Sequence, residues 1–468
     1  MIWTALERLL THFSQFVVGI IIARALMPSD YGVIGVLAIF MAIAQTFLDS
    51  GFSSALIQKK DRTEEDFSTV FYFNVVVSLA LYTILFIAAP YISEFYRLPI
   101  LTQVSRAVSL SIIINGLTIV QTAKLTIDLN FRIQSLAAIF AVVVSGLIGI
   151  FLAYNGYGVW SLVVQGLSTS TIKALILWIY SKWRPKWLFS IESFKTMFSF
   201  GSKLLLSGLI NTIYQNIYTL VIGRCFSASD VGFFNRAKHF AQLPSDTVSQ
   251  TILKVNFPIL SKFQDDNKQL ISAYGKLLRV PIFVLCPLLT MIATLSEPMI
   301  DVLLGSKWLP CAPMLQVLCI GYVWVPLTRI NLNLLNVKGR SDCVLQLEII
   351  KKIIAFSILF VSLPFGIWWM CVGRALYSFI AFTLNCYYTK KILNYGFRTQ
   401  MRELLPIFIN SMIMCLIMAL SINFFEESII RLLAGVLLGA ISYISYCLIS
   451  KDESYYDVIS ILNEKLRK

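Results

Sequence analysis

The sequence predicts an all-α integral membrane protein of about fourteen transmembrane helices: two pseudo-symmetric six-helix lobes around a central cavity, plus two C-terminal helices. Composition, the spacing of apolar runs and an internal repeat lead to this fold class. Of the 468 residues, 57% are apolar or aromatic and only 14% are charged. A soluble chain of this length would expose more charge to water, so lipid must surround most of the surface.

Apolar runs follow one another along the whole chain, each close to the twenty or so residues that cross about 30 Å of hydrocarbon. Within a bilayer only helices satisfy their own backbone hydrogen bonds in such runs. The first run ends without the small-residue cleavage pattern of a secretory signal, so we expect it to remain as a span. The runs are approximately 9–26, 33–51, 67–89, 101–121, 136–154, 159–180, 203–222, 232–254, 277–295, 311–335, 344–363, 368–388, 404–424 and 429–449.

The connections between these runs alternate in basic charge. One alternate set carries clusters of Lys and Arg, such as those at 59–62, 182–186 and 390–391, and the other set carries few. The positive-inside rule therefore predicts that the first set and both termini are cytoplasmic. Short clusters between apolar runs, rather than one basic stripe, also argue that the net charge of +14 does not serve nucleic acid binding.

A ten-residue segment recurs at the ends of spans 1 and 7. Residues 23–32 read ARALMPSDYG and residues 223–232 read GRCFSASDVG, with four identities at an offset of 200. Ser or Asp at this place is expected to cap the next helix, and Gly to permit a tight turn. Because six spans separate the copies, both have the same membrane orientation, which predicts two six-helix lobes facing each other across a cleft.

The repeat also predicts the domain boundaries. We expect an N-terminal lobe over residues 1–190, a C-terminal lobe over 191–395, and two additional helices with a cytoplasmic tail over 396–468. The loops are too short for a separate soluble domain, so the functional groups must lie within the helical bundle.

Seven segments carry a resemblance to a known family: 23–32, 48–52, 156–162, 235–237, 242–244, 257–261 and 307–310. They resemble polysaccharide transporters of the multidrug/oligosaccharidyl-lipid/polysaccharide exporter superfamily. The similarity covers nearly the whole chain and is greatest to the lipopolysaccharide biosynthesis branch, which includes the colanic acid exporter and Wzx-type flippases.

This resemblance implies a V-shaped pair of lobes with a cationic cavity. It implies a flippase that carries undecaprenyl-pyrophosphate-linked oligosaccharide repeats of O-antigen, capsule or exopolysaccharide across the bacterial inner membrane. The expected partners are the lipid-linked oligosaccharide, membrane lipids, and the polymerase and glycosyltransferases of the same pathway. Neither a catalytic residue, a metal nor a cofactor is expected, and the expected energy source is a proton or sodium gradient or the downhill consumption of the product.

Arginines inside or beside the spans are the candidate substrate-binding residues. A pyrophosphate needs a wet, basic groove to cross hydrocarbon, and the planar guanidinium suits phosphate oxygens. Any ionisable side chain within a span is a functional hypothesis, although buried ion pairs between helices and snorkelling at span ends remain alternatives. The candidates are Arg24, Arg106, Arg224, Arg236, Arg329 and Arg374.

Three carboxylates, Asp49, Asp246 and Glu348, are candidates for ion coupling. Asp49 closes span 2, where a structural role at the interface is the alternative. Glu348 lies three residues before Lys351, so mutual neutralisation is its alternative. Asp246 is seven residues from His239 and is expected to share a helix face with it.

Two other functions compete with the flippase. A cation-coupled multidrug exporter of the same architecture predicts a cavity richer in carboxylates and aromatic rings than in Arg. A membrane glycosyltransferase or polymerase needs positioned carboxylates or a large outward loop, which we do not find in the sequence. The absence of a Gly-rich phosphate loop from the sequence argues against a nucleotide-driven pump.

Overall fold

The computed structural model describes residues 2–49, 51–59, 61–450 and 455–456, which form eighteen α-helices and no strand. The first nine helices are α1 Ile2–Ala25, α2 Pro28–Leu48, α3 Phe52–Gln58, α4 Glu64–Tyr96, α5 Leu101–Gly116, α6 Ile119–Ile127, α7 Phe131–Tyr154, α8 Val159–Tyr180 and α9 Ile191–Cys225. The next nine are α10 Ala228–Lys262, α11 Asn267–Thr294, α12 Ser296–Leu304, α13 Ala312–Tyr322, α14 Trp324–Val337, α15 Ser341–Ser362, α16 Ile367–Leu393, α17 Phe397–Ile422 and α18 Ser428–Ile449.

All fourteen predicted spans fall on helices. In the described residues, eleven helical segments are long and apolar enough to cross a membrane, with α5–α6 and α13–α14 each counting as one segment. The other three predicted spans correspond to α1, α10 and α15. Among these, α10 and α15 carry several charged side chains, which lowers their hydropathy. The all-α, multi-pass membrane class is confirmed.

Spans 4 and 10 are each broken in the middle. Helix α5 ends at Gly116 and α6 begins at Ile119, whereas α13 ends at Tyr322 and α14 begins two residues later. Backbone groups freed at such a break need partners inside the protein. At the first break the indole of Trp178 donates to the carbonyl of Leu117 (3.0 Å). At the second break Ser245 Oγ donates to the carbonyl of Tyr322 (2.9 Å).

Contacts divide the chain into two compact units, residues 1–232 (unit 1) and 233–468 (unit 2). In unit 1, α9 packs on α2, α3 and α4, and α7 packs on α1 and α8. In unit 2, α16 packs on α13, α14 and α15, and the additional helix α17 packs on α11 and α18. The lobe boundaries at 190 and 395, which follow the sequence repeat, stay a prediction.

A buried polar network fixes α17 inside unit 2. The hydroxyl of Tyr274 on α11 donates to Asn331 on α14, and the amide of Asn331 donates to Gln400 Oε1 on α17 (3.2 Å). Gln400 Nε2 in turn donates to Thr389 Oγ1 on α16 (3.2 Å). Because buried polar groups are costly without partners, these bonds define how α17 seats on the rest of the unit.

The repeated segments have the same local structure. The carboxylate of Asp30 accepts from the backbone N–H of Met27 (3.0 Å), and that of Asp230 accepts from the backbone N–H of Ser227 (3.1 Å). Each Asp thus reaches back from the first turn to the residue before its helix, as in a capping box. The predicted capping role is confirmed for both acidic residues.

The predicted tight turn at the repeated glycines is wrong. Gly32 lies inside the first turns of α2, and Gly232 occupies the same position in α10. A Cβ added to Gly32 would overlap the carbonyl oxygen of Ala228, and one added to Gly232 would overlap that of Pro28. The two glycines therefore permit the beginnings of α2 and α10 to approach each other closely. They do not form a turn in the chain.

Candidate functional site

One face of α10 carries polar side chains at intervals of four residues: Lys238, Gln242 and Asp246. This spacing places them one above another on a single face of the helix. All three are half-buried, whereas His239 is exposed. The hydrogen-bond network of this site is built from the 238–242–246 face.

Asp246 is held by two groups. Its Oδ2 accepts from Gln242 Nε2 (2.7 Å), and its Oδ1 pairs with Arg329 Nη2 of α14 (3.0 Å). The side chains of Asp246 and Arg329 keep 27% and 35% of their surface exposed. The ion pair is therefore accessible at one side and is not sealed in a dry core.

Tyr322, the last residue of α13, joins the same network at the break in span 10. Its hydroxyl donates to Gln242 Oε1 (3.2 Å) and accepts from Arg374 Nη2 of α16 (3.1 Å). The Arg374 guanidinium also lies 5.7 Å from the centre of the Tyr322 ring. The broken helix thus places one phenol between α10 and α16.

These six residues form what we call the cationic cluster: Lys238, Gln242, Asp246, Tyr322, Arg329 and Arg374. Lys238 lies within electrostatic range of both Arg374 and Asp246. The cluster thus combines three basic side chains with one carboxylate, near the middle of the segment Ser306–Val337 and on the helices packed beside it. Positive charge in excess of its counter-charge, inside a membrane segment, is suited to hold an anion.

The other predicted arginines lie against aromatic rings or at helix ends. Arg106 donates to the carbonyl of Phe86 (3.4 Å) and lies 4.2 Å from that ring. Arg224 lies 4.9 Å from the Phe95 ring and is exposed in the last turn of α9. The cluster thus brings together two of the six predicted substrate arginines, Arg329 and Arg374.

Arg236 lies on α10 and Arg24 on α1. Arg236 is half-buried, with its guanidinium 5.6 Å from the ring of the fully buried Trp308. Arg24 is exposed in the last turn of α1.

The remaining acidic candidates have local partners. Asp49 follows α2 and accepts from Gln45 Nε2 (3.1 Å). Glu348 accepts from Lys351 Nζ (2.5 Å), and Lys351 is nearly fully buried. The predicted pairing of Glu348 with Lys351 is confirmed, whereas a role for either acid in ion coupling stays a prediction.

Sequence reasoning missed Tyr322 and the linking role of Gln242. Gln242 stands in one of the family-like segments, 242–244, but nothing in its local pattern indicates its partners. Tyr322 resembles any aromatic residue of an apolar run. The break in span 10, which turns its hydroxyl into the cluster, becomes visible only in the structure.

A family model described as "Polysaccharide biosynthesis protein" matches residues 21–313. The chain is 27% identical to the teichuronic acid biosynthesis protein TuaB of Bacillus subtilis, over 73% of this chain and 71% of that protein. It is 24% identical to the succinoglycan biosynthesis transport protein ExoT of Rhizobium meliloti, over 94% and 90% of the two chains. It is also 24% identical to the lipopolysaccharide biosynthesis protein WzxC of Escherichia coli, over 75% and 71%.

Two solved structures share the fold. The lipid II flippase MurJ in an inward closed conformation superposes with a TM-score of 0.78 at 18% identity, covering 98% of this chain and 99% of that one. An inward-facing multidrug resistance transporter of the MATE family superposes with a TM-score of 0.62 at 16% identity, covering 82% and 95%. These similarities concern the architecture of the helices.

Proposed function

The chain belongs to the polysaccharide biosynthesis protein family, and from this premise we propose that it is a flippase for lipid-linked oligosaccharides. Its substrate would be an undecaprenyl-pyrophosphate-linked repeat unit of a surface polysaccharide. Transport is part of the printed name of the relative ExoT, which spans most of this chain. The fold that this chain shares with a lipid II flippase also supports the proposal of a transport function.

The cationic cluster is the observation that carries the proposal. A pyrophosphate presents several anionic oxygens, and guanidinium groups bind such oxygens through two parallel donors. Arg329 and Arg374 lie on different helices, α14 and α16, yet are linked through Asp246, Gln242 and Tyr322. One anionic head group with several oxygens can therefore engage both guanidiniums.

Asp246 acts in this proposal as the resident counter-ion. With no substrate bound, its carboxylate neutralises part of the charge of Arg329, which would otherwise be half-buried without this counter-ion. An arriving phosphate competes for the same guanidinium and releases the carboxylate. A released carboxylate is a natural site for a proton or a sodium ion, so we place ion coupling at Asp246 before Asp49 or Glu348.

The remaining features of the proposal follow from topology. We propose that the protein lies in the bacterial inner membrane with both termini in the cytoplasm, because the basic loops alternate along the chain. Alternating access of two lobes, and cooperation with the polymerase and glycosyltransferases of the pathway, belong to the same proposal. The function is transport, without a catalytic step.

The chemistry of the cluster argues against the two competing functions. A drug exporter selecting cations would need acidic groups in excess, whereas the cluster holds three basic side chains for one acid. A glycosyltransferase would need a carboxylate free to act as a base, but Asp246 is paired with Arg329 and bonded to Gln242.

Transport by purified protein in liposomes tests the proposal. We expect Arg374→Gln and Arg329→Gln each to lower the rate of translocation of a radiolabelled lipid-linked oligosaccharide by about tenfold to a hundredfold, the value of a lost charge-assisted hydrogen bond. Arg340→Gln is the matched control because this guanidinium is exposed at the beginning of α15 and pairs with Asp342. Its rate should stay close to that of the wild type.

Two results would contradict the proposal. One is full transport by both cluster variants with normal protein levels. The other is transport of cationic dyes in place of the oligosaccharide lipid.

A further inference from the structure

Unit 1 contains a cavity of about 410 Å³ between α2, α5 and α8. Ligand pockets typically occupy about 300–1,000 Å³, so this volume is large enough for a small ligand. No charged side chain is among the described residues that line it. Aliphatic side chains form most of the wall, together with the polar groups of Gln45, Ser111, Asn115 and Ser170.

The cavity and the cationic cluster occupy equivalent places in the two units. Helix α2 corresponds to α10 through the 200-residue offset of the repeat. Helices α8 and α16 each begin directly after a glycine outside the usual backbone region, Gly158 (φ 53°) and Gly366 (φ 94°). Helices α5 and α13 are the first halves of the two broken spans. Three of the four helices that carry the cluster, α10, α13 and α16, thus correspond to the three helices around the cavity, and α14 adds Arg329.

Small residues stand in the cavity where long polar ones stand in the cluster. Ala42 lines the cavity at the position of Gln242, 200 residues earlier. Gly166 lines it eight residues after Gly158, as Arg374 follows eight residues after Gly366. A Cβ added to Gly166 would meet no atom within 4 Å. In unit 2, long polar and charged side chains therefore occupy the space between these helices, whereas in unit 1 the corresponding space is a cavity.

The polar wall of the cavity suits an uncharged ligand. Asn115 Nδ2 donates to Gln45 Oε1 (3.3 Å), and Gln45 Nε2 donates to Asp49 (3.1 Å). A primary amide has two N–H donors and one carbonyl, so each amide keeps bonding capacity beyond these bonds. An anion would lack a counter-charge here, and a purely apolar chain would cover the amides without bonding them.

We propose that the cavity of unit 1 binds an uncharged sugar residue of the lipid-linked oligosaccharide, an inference that rests on the proposed function. A sugar ring offers hydroxyls to the amides of Gln45 and Asn115 and carbon–hydrogen faces to the aliphatic wall. The two repeats have thereby diverged in chemistry: the cluster recognises the pyrophosphate, and the cavity recognises the carbohydrate.

Binding to the full-length chain in lipid nanodiscs tests this division. The probes are undecaprenyl diphosphate and the lipid-linked repeat unit that accumulates in the host when the gene is deleted. We expect the wild type to bind the repeat unit at least about tenfold more tightly than undecaprenyl diphosphate, the effect of one or two hydrogen bonds. Filling the cavity with Ala42→Leu and Gly166→Leu should remove this preference and leave the affinity for undecaprenyl diphosphate unchanged.

Ala38→Leu is the matched control. It adds the same volume as Ala42→Leu does. The substitution lies one turn earlier on α2, at an exposed residue that does not line the cavity. This variant should keep the preference. Asn115→Leu removes the amide with little change in bulk, and it provides a second test if the filled variant does not fold.

The outcomes separate the two proposals. Equal wild-type affinity for both probes, a preference that survives in the filled variant or in Asn115→Leu, or a loss in Ala38→Leu would overturn the sugar site. Failure of the wild type to bind undecaprenyl diphosphate at all would instead overturn the proposed function.

Discussion

The predicted substrate-binding arginines differ in the groups that they contact. Arg329 and Arg374 contact an acid and a phenol that are themselves linked through one amide. Arg106, Arg224 and Arg236 lie over aromatic rings, where a cation–π contact contributes about 0.5–1 kcal/mol at exposed sites. A substrate phosphate can exchange with the carboxylate on Arg329.

The Arg329–Asp246 pair makes a prediction about stability. Arg329→Gln leaves a half-buried carboxylate without its ion partner, so it should destabilise the protein more than the double variant Arg329→Gln/Asp246→Asn does. We expect a coupling free energy of about 1 kcal/mol between the two positions. Unfolding of the purified single and double variants measures it, and strictly additive effects would show that the pair is not coupled.

At the scale of elements, α2 and α10 show how one helix position serves two purposes. Each helix has a capping Asp in its first turn and a glycine two residues later. Farther along, α10 carries the charged face, and it is not among the segments that are apolar enough to cross a membrane by composition alone. The carboxylate of Asp246 is tolerated there because Arg329 of α14 pairs with it and Gln242, itself bonded by Tyr322 of α13, donates to it.

Because Gly32 lies so close to the backbone of Ala228, we expect even a methyl group at this position to clash. Gly32→Ala improves helix propensity by about 1 kcal/mol, but its Cβ would overlap the backbone of Ala228, and overpacking costs about 1–3 kcal/mol. Backbone cannot rotate away as a side chain can. We expect a lower melting temperature and reduced transport.

Gly166→Ala is the control for this prediction. It adds the same methyl group to another helical glycine, where no atom lies within 4 Å of the new Cβ. This variant should melt at or above the temperature of the wild type. A Gly32→Ala protein as stable as Gly166→Ala and as active as the wild type would show that the helix beginnings do not need their close contact.

At the scale of the whole molecule, the order of helices occurs twice. Each half has a span ending at the repeat motif, a second span after the capped turn, a broken fourth span and a sixth span entered through a glycine turn. Helices α17 and α18 follow outside this order, and the buried bonds of Gln400 fix α17 against unit 2. The additional pair is therefore an integral part of that unit.

The topology predicts the side of the membrane on which each late loop lies. Alkaline phosphatase is active only outside the cytoplasm, so a fusion after Glu427, between α17 and α18, should be active. A fusion after Asn394, between α16 and α17, should be inactive, and green fluorescent protein at that site should fluoresce. The reverse pattern would contradict the assignment of the basic loops to the cytoplasm.

The fold class and the fourteen helical runs could be predicted from the order of amino acids alone. Length and hydropathy of a run are local properties, and a bilayer permits only a helix for such a run. The capping role of Asp30 and Asp230 could be predicted for the same reason, since the bonds join residues only three apart. The role of Gly32 could not be predicted in this way, because the backbone that it approaches belongs to Ala228, which is far away in the chain.

Which charges act together depends on contacts between helices that are far apart in the chain. Asp246 is 83 residues from Arg329 in the chain, and Gln242 is 80 residues from Tyr322, so no spacing in the sequence indicates either contact. The open space beside Ala42 and Gly166 is likewise a property of three packed helices. Hydrophobic pattern defines each helix, whereas the packing of helices from distant parts of the chain determines what each polar side chain meets.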